Sequence, residues 1–133
     1  MLPNHIASEF RDRWLPHCTE SGLLRLSELL QSGSPLLIHG SFSRACAMGC
    51  LATHIAWHHP KTERHSDDAG IHWLTRVAKL NPATSVVIQV WDRSNSHDWN
   101  LRSGLLDLCR DELARRQDEA EFECEDAHAF AAL

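Results

Sequence analysis

Apolar residues recur three and four positions apart along most of this chain, the period of a helix face rather than the alternation of a strand. Ile6, Phe10 and Trp14 mark a first helix that Asn4 is placed to cap and Pro16 to stop. Leu23, Leu26, Leu29 and Leu30 mark a second, opening at Ser21 or Gly22 and broken by the Ser-Gly-Ser-Pro run at 32–35. Pro35 to Gly40 is a short apolar link, either a brief strand or a buried connector. A third helix is predicted over about 43–58, capped by Ser41 or Ser43 and ended before Pro60. It is apolar nearly all round, the pattern of a helix buried by its neighbours. Ala45, Gly49, Ala52 and Ala56 line one side of it. A neighbouring backbone would come close there, which is the expected reason for Gly49 despite its poor helix propensity.

After a polar loop at 61–66, Asp67 or Asp68 is placed to cap a fourth helix carrying Ile71, Leu74, Val77 and Leu80, and Asn81-Pro82 ends it. The stretch 85–91, Ser-Val-Val-Ile-Gln-Val-Trp, points two ways. Its β-branched residues suit a strand; the Pro82-Ala-Thr entry and the helices around it suit a helix. A short helix is favoured, with a short strand at 85–91 as the alternative. Asp92 to Ser96 reads as a turn, and Leu101, Leu105, Leu108, Cys109 and Leu113 mark a last helix. The segment 118–133 is an acidic tail with Phe122, Phe130 and Leu133 in it, expected to be a docking helix or partly disordered. The pattern as a whole predicts an all-α, compact single-domain bundle of about five to six helices over 1–133, built around a buried central helix.

Composition narrows the function. The formal net charge of −5 lacks the dense basic face of a nucleic-acid module, so nucleic acid is not an expected partner. No apolar run approaches the roughly 18 residues of a membrane span, and the N-terminus has no signal-peptide pattern. Five cysteines, at 18, 46, 50, 109 and 124, form no disulfide framework, which suits a reduced, cytoplasmic chain.

The candidate chemistry lies on the third helix. Cys46, Cys50, His54 and His58 stand four apart, so neighbouring rungs of this ladder would share a helix face. Thiolate and imidazole suit zinc, and Cys50, His54 and His58 are the candidate ligands. Cys46 to His58 would span about 18 Å of helix, so the rungs cannot all share one ion. An adjacent pair would need help from His39, His72, His97, Cys18 or Cys109. The competing reading is that cysteine packs as a small hydrophobe and the segment is core. A thiol enzyme would use Cys46, in the first turn beside Arg44, with His39 or His72 as base and Asp92 or Asp98 orienting it. His39-Gly40-Ser41-Phe42-Ser43 lacks G-x-S-x-G, and no phosphate-binding glycine loop occurs.

Cys46-Ala-Met-Gly49-Cys50-Leu51 resembles the Cys-x-x-Gly-x-Leu core of small uncharacterised bacterial and phage helical proteins, in which a later Trp/Leu-Asn-Asp turn precedes the last amphipathic helix. Trp91-Asp92 followed by Leu101 to Leu113 is similar, with the Asn of that turn missing. The resemblance implies a helical fold and carries no activity. Five tryptophans exceed what one small core readily hides, and tryptophan is enriched at interface hot spots. Trp57, Trp73, Trp91 and Trp99 fall near predicted element ends and are the candidate interface residues. The expected function is association, with itself or with another protein; a zinc-like metal protein and a cysteine enzyme are the alternatives.

Overall fold

The structure is a computed structural model that describes residues 2–44, 47–62 and 66–131, with side chains to Glu121. The described chain is all-α. Helix α1 (Asn4–Glu9) continues as a π-helical turn, Phe10–Trp14, and a 3-10 turn, Leu15–His17. Asn4 is its first helical residue; the cap position belongs to Pro3, whose carbonyl accepts from the Ile6 and Ala7 N–H groups. Pro16 sits within the 3-10 turn, near the start of a helical segment where its missing N–H costs little.

Helix α2 (Glu20–Ser32) starts a little earlier than expected because Thr19 caps it, its Oγ1 accepting from Gly22 N at 3.1 Å. Gly33, left-handed at φ 63°, closes it and returns its N–H to Leu29 O. The apolar face is buried as the spacing requires: Leu23, Leu26, Leu29 and Leu30 are all in the core.

The third helix is much shorter than its sequence pattern suggests. α3 spans Leu51–Ala56, not 43–58, and Cys50 is its extended N-cap residue. The preceding backbone finds partners across the connector instead of four residues back. Gly49 N donates to Leu36 O, Ile38 N to Gly49 O, Cys50 N to Phe42 O and Arg44 N to Met48 O. Isolated bridges join Leu37 and Ser43 to Gly49. Cross-pairing satisfies the buried amides as well as a helix would, and Gly49 gives up little helix stability in the exchange. What remains of the helix is central: every residue from Leu51 to Ala56 is buried.

Helix α4 (Ala69–His72) runs into a second π turn, Trp73–Val77, and Lys79 at φ 59° ends it. The two π turns meet through Trp14 and Trp73, whose ring centroids are 5.5 Å apart. The ambiguous stretch is helix α5 (Val86–Arg93), with Val87, Ile88 and Trp91 turned inward. Its N-terminus is held by Ser85 and by a carboxylate from α1. Glu9 accepts from Ser85 Oγ at 2.6 Å, from the Val86 and Val87 N–H groups at 3.1 Å, and from Trp14 Nε1 at 3.1 Å.

Helix α6 (Trp99–Ala131) is capped by Asp98, whose Oδ1 accepts from Leu101 N. Its backbone covers the acidic tail as far as Ala131, while Ala132 and Leu133 lie outside the described residues. Leu101, Arg102, Leu105, Leu106 and Cys109 are buried, Leu113 partly so, and residues 117–121 are exposed. Among the described side chains the last tether to the body is Arg116, whose Nη2 donates to Leu15 O at 2.8 Å. No helix among the described residues is long and apolar enough to cross a membrane.

Candidate functional site

The shortened α3 carries one rung of the ladder within its own span. Cys46 lies outside the described residues, Cys50 precedes the helix, His54 is on it and His58 is in the turn beyond it. Cys50 and His54 stay one turn apart, His54 N donating to Cys50 O, while His58 N turns back to Ile55 O past the helix end. His54 is 3 % exposed, and its Nε2 lies 2.8 Å from Leu36 O. A carbonyl only accepts, so Nε2 carries the proton and cannot ligate a metal. Burial, chiefly, lowers the pKa of His54. Cys50 is 1 % exposed with its sulfur beside Thr53 Oγ1, and burial raises its thiol pKa. His59 takes the Lys61 N–H on Nδ1, which fixes its proton on Nε2. Among the described residues no group of three or more His, Cys, Asp or Glu side chains is arranged to hold a metal ion.

The thiol arrangement rests on Cys46, which lies outside the described residues. His39 and Asp92 do come near each other, but Asp92 Oδ1 accepts from Gly40 N and His39 Nδ1 faces Trp91 O at 2.7 Å. Asp98 spends its oxygens on Leu101 N and Ser94 Oγ, and His72 sits in the last turn of α4. The other described thiols are inert by burial. The Cys109 thiol is pushed up to about 12, and Cys18 is raised further by burial and then by the neighbouring Cys109.

Of the tryptophans expected at an interface, Trp73 and Trp91 are fully buried and Trp57 is 8 % exposed, so these pack the core. Trp99 is different. It is 54 % exposed, its ring lying over Gly33 at the C-terminal end of α2. Leu24, also 54 % exposed, is the other large apolar side chain left in solvent among the described residues.

One polar cluster was not anticipated. His39, Trp91 and Arg102 form a stacked network where the connector, α5 and α6 meet. Trp91 Nε1 donates to Ile38 O at 2.8 Å, and His39 donates through Nδ1 back to Trp91 O. That tautomer leaves the Nε2 lone pair for Arg102 Nη2, 3.4 Å away. The imidazole stacks on the indole at 4.1 Å, and the guanidinium carbon lies 5.3 Å from the same ring's centroid. Arg102 is 1 % exposed, and its Nε and Nη1 have no hydrogen-bond partner among the described residues. Burial lowers its pKa while Asp98 opposes the shift. A signal was present in the sequence: Arg102 precedes Leu105, Leu106 and Cys109 by three, four and seven residues, so it lies on the buried stripe.

No family model, curated protein or solved structure matches the chain.

Proposed function

We propose that this protein acts by association, with a second copy of itself or with another protein, rather than by catalysis. The observation that carries the reading is the overhang of α6. Its backbone stays helical to Ala131, while among the described side chains its last fully buried residue is Cys109 and its last hydrogen bond to the body is made by Arg116. A helical stretch with no tertiary partner is marginal in water. Here Arg115 and Arg116 pair with Glu112 and Glu119 across single turns, which adds only tenths of a kcal/mol per pair. A docking partner for this arm supplies what the ion pairs do not. Trp99, half exposed at the other end of the same helix, is the anchor residue in this reading. Cys18, Cys50 and Cys109 are free thiols, which suits a reduced, cytoplasmic location.

Sedimentation equilibrium of the full chain across the micromolar range tests the proposal. The expected result is a mass above that of one chain that rises with concentration. A chain ending at Arg116 and a Trp99→Ala variant, each checked for retained helicity, should shift toward the monomer. A full chain that stays monomeric at high micromolar concentration, and takes no protein partner in cross-linking from cells, would sink it.

A further inference from the structure

We propose that Arg102, together with His39, is a binding site for a small oxyanion of the phosphate or carboxylate class, seated against the guanidinium beside the face of Trp91. The proposal is independent of the association reading. Its first support is the state of Arg102: it is 1 % exposed, and two of its nitrogens lack a partner among the described residues. The ion pairs of the described residues do not include it. A cation removed from water without a counter-ion is costly, and a neutral imidazole with a ring face replaces little of its hydration. The nearby acid, Asp98, already serves Leu101 N and Ser94 Oγ.

The second support is position. Arg102 stands in the opening turns of a helix of 33 residues. The dipole there disfavours a cation and favours an anion, so the guanidinium and the helix end call for the same negative charge. Both edges of the guanidinium fork retain an open N–H, the arrangement with which arginine holds carboxylate or phosphate oxygens.

Entry falls to the connector. His39 is the partly exposed member of the network. Gly40 follows it at φ 82°, with nothing within 4 Å of where a side chain would begin. The Gly40 N–H to Asp92 contact, at 3.2 Å, is exposed. Binding in this proposal requires the imidazole to leave Arg102 Nη2, and the open backbone position at Gly40 leaves room for that.

The test uses the full chain in potassium phosphate, sulfate, acetate or chloride at one ionic strength and pH. The expected result is a saturable rise in melting midpoint with an oxyanion over chloride, on the order of 4 °C at tenfold above Kd. Arg102→Met should abolish it. Arg102→Lys should weaken binding at least about tenfold, since an ammonium cannot present the fork. A response to acetate assigns a carboxylate ligand, and one to phosphate and sulfate a tetrahedral one. A rise that persists in Arg102→Met is general salting-out and overturns the proposal, as does equality of all four salts. If Arg102→Met does not fold, the Arg102 Nε–H resonance of the unaltered chain decides. It should move saturably with the oxyanion that raised the midpoint, and a resonance unmoved throughout leaves buried water as the partner.

Discussion

His54 shows how one residue can look like a ligand and act as a clip. Its Nε2–H on Leu36 O ties α3 to the connector, and burial lowers its pKa. The sign of the linkage follows. An unfolded histidine accepts a proton near pH 6.5, while the folded one resists. The contribution of His54 is therefore complete above about pH 6.5 and is lost as pH falls from there through the lowered folded value. His59, shifted the same way chiefly by burial, adds to the slope. Urea unfolding at pH 7 and pH 5 should show the loss, and His54→Gln should shrink the difference between them; an unchanged difference would show that the imidazole carries none of it. Gly70 is a second instance of a residue explained by its neighbour. A Cβ there would stand 2.5 Å from Thr53 Oγ1 and 2.9 Å from Thr53 N. Close approach was expected at Gly49, on the side of a long helix. The glycine that permits α3 and α4 to touch is Gly70, and Gly49 is pressed instead against the Thr53 side chain and Phe42 O.

Helix α5 carries the clearest lesson about elements. Val86, Val87, Ile88 and Val90 favour a strand by local preference. Three donors at the helix start, Ser85 Oγ and the Val86 and Val87 N–H groups, find the Glu9 carboxylate, and Val87, Ile88 and Trp91 find the core. Capping and burial outweigh a propensity difference of tenths of a kcal/mol per residue. Glu9→Gln should cost about 1–3 kcal/mol, since its amide meets donors with a donor and loses the charge that strengthens these bonds. Urea unfolding measures the loss, and amide exchange should quicken first in α5; wild-type stability would mean that Ser85 alone suffices as the cap. The stretch 43–50, by contrast, has an apolar, alanine-rich pattern that reads as helix. The Gly49 amide is paired with Leu36 O instead, and Gly49 O with Ile38 N, partners more distant in sequence than a helix would use.

For the whole molecule, the described thiols are all withdrawn from solvent. Cys18, Cys50 and Cys109 are buried with raised pKa values. Their peptides should stay unlabelled by iodoacetamide at pH 8 while the protein is folded and label fully in denaturant; rapid labelling of any of them in the native state would contradict their burial. The all-α class, five of the six helices near their places and the inward faces of α2 and α6 were legible from apolar spacing. Burial follows that spacing closely, because a helix has one face to hide. The extent of α3, the partner of Glu9 and the isolation of Arg102 were not legible. Each depends on which backbone or side-chain groups become neighbours once distant segments pack. Sequence alone determined which faces are apolar and where turns fall, since those follow from local period and from proline and glycine. Only the tertiary structure decided which polar groups find partners, because a hydrogen bond is made by proximity, and proximity across this chain is set by the packed core.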